Sequence, residues 1–240
     1  ALSSLLLRPQ KKQSPATLQV KAVGLNFRDV LNVLGMYPGD PGPPGADCSG
    51  IACHGHPLDG HNVLGLANGS LQSYAATDDR LLSLMPAEWQ YEEASAMPTT
   101  WVTVWTAMEE VSATHSGSSA MIQAATGGVG LVAVACGQRA GTRVYTTAGR
   151  SEKQAYLRSL GVSMITSTRD SGTFSREASD MLGTDRRLAL VLNSLSHDEY
   201  IPDGVSLVGE AGQFVEIGKR GIWSRKLMAA EHVRYSIVAV

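Results

Sequence analysis

Ala124-Ala125-Thr126-Gly127-Gly128-Val129-Gly130 is the stretch on which the fold turns. It closes an apolar run of strand length, SAMIQAA, and opens a stretch of helical periodicity, VGLVAVACGQRAG. Gly128, Gly130 and Ala133 satisfy G-x-G-x-x-A. A strand–turn–helix of this kind needs a tight turn, close backbone approach to a pyrophosphate, and a small residue where helix meets strand. The helix N-terminus then faces the anion with unpaired N–H groups. In that context the heptad predicts a dinucleotide site built from Thr126, Gly127, Gly128, Val129 and Gly130.

Downstream of the heptad the pattern is regular. RVYTTA, VSMITS, LALVLN, QFVEI and YSIVAV read as strands. They alternate with helical stretches SEKQAYLRSLG, FSREASDMLG, a segment around Asp198 to Val208, and WSRKLMAAEH. Such alternation predicts an α/β, doubly wound parallel sheet. Upstream the chain is irregular and strand-rich. TLQVKAV, CSGIAC, HNVLGLA, QSYAAT and LLSLM are short strand candidates, and NFRDVLNVLG a short helix. Between them Pro38 to Pro44 hold four prolines, which remove donors and set φ. EEASAMPTTWVTVWTAMEEV reads as helical, broken near Pro98. The expected organisation is a β-rich, partly open barrel over 1–115 and a nucleotide-binding domain over 116–240.

Composition removes other classes. Twenty basic and 22 acidic residues among 240 leave a formal charge of −2, so no nucleic-acid footprint is expected. No apolar run approaches the roughly 20 residues that span a bilayer. Three cysteines, Cys48, Cys53 and Cys136, cannot all pair, which favours a reducing cytoplasm. Cys48, Cys53, His54, His56 and His61 cluster in sequence, but their spacing fits no zinc pattern, and no metal is predicted.

The residues after the second strand of the α/β part select the cofactor. An NAD site wants an acid there for the ribose hydroxyls. This chain carries Arg150, Ser151 and Lys153, with Glu152 the sole acid, which suits the 2′-phosphate of NADPH. The competing reading makes Arg150 and Lys153 solvated residues of a first helical turn.

VKAVGLNFRDVLNVLGMYPG, MPTTWVTVWTAMEEV, IQAATGGVG, RSEKQAYLRSLG, TSTRD, LVLNSLS and GQFVEIGK occur in this order. Together they resemble the enoyl reductase domain of type I polyketide synthases and animal fatty acid synthase, among the zinc-independent medium-chain reductases. The resemblance implies a Rossmann-type sheet plus an N-terminal GroES-like partial barrel. It implies reduction of an enoyl thioester on an acyl carrier protein by NADPH, beside ketoreductase and dehydratase domains. It places Asn26, Arg28 and Asp29 near the nicotinamide end, associates Tyr37 with protonation at Cα and the configuration of an α-methyl branch, and makes Lys219 an alternative donor or a stabiliser of the thioester enolate. Lys153, Ser151 and Arg169 match positions that hold the 2′-phosphate, and Asn193 and Ser194 count among the cofactor-binding positions. Arg169 could equally pair with Asp170.

The chain departs from the family pattern at GADCSG, in a shortened ACHGHPLDGHNV loop, and at the aspartate expected near Ala239 or past Val240. It also ends before the return to the first domain, so an incomplete domain, truncated at the C-terminus, is expected. YSIVAV as an edge strand would allow a homodimer. A stand-alone quinone or enone reductase, and a decayed structural enoyl reductase domain, are the alternative readings.

Overall fold

The computed structural model describes residues 15–53, 57–111, 114–183, 188–195, 197, 199–218, 221–231 and 233–238. The chain forms two compact units, Ala1–Thr99 and Thr100–Val240. No helix of the described residues is long and apolar enough to cross a membrane.

The first unit is an antiparallel sheet in the order β4-β1-β2-β3-β5. Its strands are β1 (Pro15–Gly24), β2 (Asp47–Cys53), β3 (Asn62–Leu66), β4 (Tyr74–Asp78) and β5 (Leu82–Leu84). Alternation along β1 buries Ala16 and Leu18 and exposes Pro15 and Thr17, the period of a sheet with one covered face. Leu18, Cys48, Ala52, Val63, Ala67 and Ala75 make its small core. Helix α1 (Phe27–Val33) follows β1, and α2 (Tyr91–Ser95) packs on β1 and β2.

The second unit holds six parallel strands in the order β11-β10-β9-β6-β7-β8. These are β6 (Ser119–Ile122), β7 (Arg143–Thr147), β8 (Met164–Thr166), β9 (Leu188–Asn193), β10 (Val208–Glu216) and β11 (Arg234–Ile237). The helices are α4 (Gly128–Arg139), α5 (Ser151–Ser159), α6 (Ser171–Leu182), α7 (Tyr200–Ser206) and α8 (Arg225–Ala230). Counted from β6, this is the doubly wound 3-2-1-4-5-6 order with its switch point between β6 and β9. The central strands are covered on both faces, which is why SAMI and LALVLN read as continuous apolar runs. Ala120 and Ile122 pack with Leu190 and Leu192 on one face; Met121 packs with Val191, Phe214 and Tyr200 on the other. Full burial of each Ile, Leu, Val, Met or Phe among them contributes about 1.5–3 kcal/mol.

The units divide at Thr99/Thr100, ahead of the composition change near residue 115. Between them in sequence lies α3 (Pro98–Trp105), continued by a π-helical turn over Thr106–Val111. Val104, Ala107 and Met108 join the core formed by β6 and α4, so this helix belongs with the parallel sheet. Pro98 is the first residue of α3, where its missing N–H would be unpaired anyway. The helical stretch is thus broken where Pro98 predicted, into α2 and α3.

Candidate cofactor site and proton-donor loop

The βα turn after β6 is held from the neighbouring strand. Ala124 N–H donates to Thr147 Oγ1 at 2.8 Å, and Ala125 N–H to the Thr147 carbonyl at 3.0 Å. Ala124 has φ of 47°, the one positive value at a non-glycine among the described residues. These two hydrogen bonds over-determine that strained position. Gly127 caps α4, and its N–H closes the turn onto the Ala124 carbonyl at 2.9 Å. Gly127 and Gly128 are exposed and Gly130 is buried. A Cβ on Gly130 would meet Ala125 Cα at 2.6 Å, so only glycine lets the helix sit this close to the strand. No acidic residue stands in the first turn of α4, which leaves its N-terminal N–H groups to an anion.

A second cationic corner lies after β7 and β8. Arg150 caps α5, with Ser151 and Lys153 exposed on its first turn. Arg169, from the loop after β8, donates through Nε to the Gly149 carbonyl at 3.0 Å. Asp170 is engaged elsewhere: it accepts from Thr173 N–H at 2.7 Å and from the Thr173 hydroxyl at 2.8 Å, capping α6. Those bonds hold its carboxyl below its ordinary value. Arg169 therefore reaches the β7–α5 turn, and the alternative pairing with Asp170 is not formed. Among the described residues no carboxylate pairs with Arg150, Lys153 or Arg169. This set suits a phosphate monoester better than a ribose diol.

Sequence reading named Asn193 but missed the row of buried polar residues to which it belongs. Thr166, Thr147, Gln123, Asn193 and Glu216 end, or directly follow, β8, β7, β6, β9 and β10, and none is more than 3% exposed. Thr147 pairs with Thr166 and Asn193 with Glu216. Ile122 pairs with both Thr146 and Leu192, which sets Gln123 between Thr147 and Asn193. The five thus form one polar row across the carboxyl edge, where open α/β sheets take their ligands. Asn193 Nδ2 donates to Glu216 Oε2 at 2.5 Å, and Gly218 N–H donates to Glu216 Oε1 at 2.5 Å. Ser194 Oγ donates to the Gln123 carbonyl at 3.4 Å. Gln123 Oε1 and Nε2 and Asn193 Oδ1 have no hydrogen-bond partner among the described residues. The signal was readable: MIQ, YTT, MIT, VLN and FVE each end an apolar run on a polar residue.

In the first unit, α1 organises the proline-rich loop behind it. Asp29 is buried; its Oδ2 accepts Asn26 N–H and its Oδ1 accepts Gly45 N–H, both at 2.9 Å. Arg28 donates to the Pro41 carbonyl from Nε at 3.1 Å and from Nη2, and also from Nη2 to the Pro43 carbonyl and Asn68 Oδ1, each at 3.3 Å. Asn32 Nδ2 donates to the Gly42 carbonyl at 3.2 Å. Tyr37, half-buried, sits at the start of this loop, and its hydroxyl makes no hydrogen bond among the described residues. Arg28 and Asn32 are engaged with the loop carbonyls and Asp29 with backbone N–H groups, engagements that the NFRD motif alone does not reveal.

Asp47 lies beneath, accepting Thr99 N–H at 3.0 Å and the Thr99 hydroxyl at 2.5 Å. Burial pushes its carboxyl above the ordinary value, with Asp29 adding to the rise. Cys48 donates to the Gly65 carbonyl at 3.5 Å, and burial pushes its thiol up to about 12. Among the described residues no group of three or more His, Cys, Asp or Glu could hold a metal ion. Lys219, His54, His56, His232, Ala239 and Val240 lie outside the described residues.

The family described as zinc-binding dehydrogenase matches residues 128–231. Over 209 residues the chain is 39% identical to erythronolide synthase EryA2 of Saccharopolyspora erythraea, covering 84% of this chain and 6% of that protein. It is 34% identical over 224 residues to pikromycin polyketide synthase component PikAII of Streptomyces venezuelae, covering 90% of this chain and 6% of that one. The crystal structure of CurK enoyl reductase superposes with a TM-score of 0.85 at 30% identity, covering 97% of this chain and 76% of that one. The quinone oxidoreductase of Thermus thermophilus, solved also with NADPH, gives 0.75 at 25% identity, covering 97% and 75%.

Proposed function

From the premise that this chain belongs to the enoyl reductase domains of polyketide synthases, within the medium-chain dehydrogenase/reductase superfamily, we propose that it reduces the α,β double bond of an enoyl thioester carried on an acyl carrier protein. When bound, NADPH supplies a hydride to the β carbon. The chain supplies the remaining proton to the α carbon, so the C=C bond becomes CH–CH with two electrons and two hydrogens accounted for.

The residues divide this work. The exposed N-terminus of α4 at Gly127 and Gly128 receives the pyrophosphate, with Thr126, Val129 and buried Gly130 setting the turn. Arg150, Ser151, Lys153 and Arg169 receive the 2′-phosphate. Asn193 and Ser194 line the carboxyl edge, Asn193 with Oδ1 left over from its bond to Glu216. Tyr37 and Lys219 are the proton donors, and Asn26, Arg28 and Asp29 order the segment that carries Tyr37. Neighbouring ketoreductase and dehydratase domains would supply the substrate, and the β11 edge would serve a homodimer.

The observation that carries the cofactor choice is Arg169 on the Gly149 carbonyl with no carboxylate among the described residues answering it. Fluorescence titration with NADPH and NADH, followed by turnover of a crotonyl thioester and of a quinone, tests the reading. Preference for NADPH and for the thioester is expected. Turnover of the quinone alone would make it a stand-alone-type reductase, and failure to bind NADPH would make it a structural domain.

A further inference from the structure

The loop from Tyr37 to Gly45 cannot hold itself. Pro38, Pro41, Pro43 and Pro44 have no N–H, so the loop lacks the donors that would otherwise satisfy its own carbonyls. Helix α1 supplies them. Arg28 takes the Pro41 and Pro43 carbonyls, and Asn32 the Gly42 carbonyl. Asp29 takes Gly45 N–H, at a glycine with φ of 86° where a Cβ would meet Leu71 N at 2.6 Å. Ahead of the tyrosine the chain is tied as well, by Met36 N–H on the Leu31 carbonyl at 2.8 Å. Between those two anchorages lie Tyr37, Pro38, Gly39 and Asp40, whose Oδ1 accepts Gly42 N–H at 2.8 Å. The tyrosine is thus carried on a short span pinned at both ends by one helix.

We infer that Arg28 and Asn32 are positioning residues that set where the Tyr37 hydroxyl stands, and so decide which face of the α carbon is protonated. This rests on the reading of Tyr37 as a proton donor. The guanidinium is suited to the task because its planar fork serves Pro41, Pro43 and Asn68 together, whereas a lysine ammonium is a single point of charge. A displaced donor costs rate steeply, roughly 10- to 100-fold for about 1 Å. Neither Arg28 nor Asn32 is among the residues proposed to hold the phosphates of NADPH.

The test uses the whole chain with NADPH and 2-methylcrotonyl pantetheine thioester, comparing wild type, Tyr37→Phe, Arg28→Lys and Asn32→Ala. The readouts are kcat, the KM for NADPH, the α-carbon configuration of the 2-methylbutyryl product, and amide hydrogen exchange over residues 36–41. Arg28→Lys is expected to lower kcat roughly tenfold or more and to erode the configuration in the direction that Tyr37→Phe does. The KM for NADPH should stay within about twofold, and exchange in the span should quicken at least about tenfold. Asn32→Ala should move each readout the same way by less, and serves where Arg28→Lys does not fold. If Tyr37→Phe alters the configuration while Arg28→Lys and Asn32→Ala keep the wild-type ratio, the positioning role is overturned. Unchanged exchange in the span overturns it too. If the wild-type chain binds NADPH but does not reduce the thioester, the proposed function itself fails, and exchange alone then judges the clamp.

Discussion

Asn193 and Glu216 are partners across adjacent parallel strands, both fully buried, with the amide donating to the carboxylate at 2.5 Å. A buried carboxylate costs several kcal/mol in desolvation, which only such donors offset. Replacing Asn193 by Leu is therefore expected to destabilise the chain by about 2–3 kcal/mol, because Glu216 loses this donor. Glu216→Gln, which keeps an oxygen for Gly218 N–H, should cost about 1–2 kcal/mol. Urea unfolding of the two variants decides it, and the reverse order of cost would mean that Asn193 matters little to the carboxylate.

Two neighbouring glycines should separate binding from folding. Gly130→Ala pushes a Cβ to 2.6 Å from Ala125 Cα, a backbone atom that cannot yield, so a loss of about 1–3 kcal/mol of stability is expected. Gly127→Ala meets nothing nearer than the Ala124 carbonyl at 3.4 Å and keeps a φ of −77° that alanine adopts freely. It should melt like wild type yet bind NADPH more weakly, since its methyl group occupies the exposed helix N-terminus. Thermal melts beside a fluorescence titration test both.

Arg169→Ala should raise the Kd for NADPH roughly tenfold, the effect of one charge-assisted contact of about 1.4 kcal/mol, while leaving NADH binding near its wild-type value. Lys153→Ala should act in the same direction. The NADPH-to-NADH preference of wild type should also shrink as salt rises, because exposed cations are screened. Equal losses for both cofactors would instead assign Arg169 to holding the Gly149 turn.

Asp47 makes stability depend on pH in the direction opposite to most carboxylates. Burial raises its folded pKa above the ordinary 3.8, so the fold holds the proton more tightly than the unfolded chain does. Its contribution is full below 3.8 and is lost as pH rises through the raised folded value. Asp47→Asn keeps an oxygen to accept from Thr99 and removes that loss. Urea unfolding from about pH 3 to pH 7 should show the variant gaining on wild type as pH rises. A constant difference across that range would mean that Asp47 does not titrate with folding.

The parallel sheet was legible because its causes are local. Apolar runs, their spacing and the turn at Gly127 to Gly130 lie within a few residues of one another, whereas the strand order came only from the structure. The antiparallel part was legible as short strands but not as a boundary. The helix from Pro98 looks amphipathic on its own, and only Val104, Ala107 and Met108 entering the second core show which unit owns it.

What the sequence by itself determined is the glycine turn after β6, the cationic residues downstream of it and the presence of Tyr37 on a proline-rich loop. Only tertiary structure decided which groups those residues meet. Arg169 reaches Gly149, twenty residues back, because β7 and β8 are neighbours. Arg28 reaches Pro41 and Pro43 because the loop folds back over α1. The polar row from Thr166 to Glu216 exists because five strand ends fall in one register. Hydrogen bonds are short and directional, so residue types along the chain set which bonds can form, and the packing of the chain sets which do.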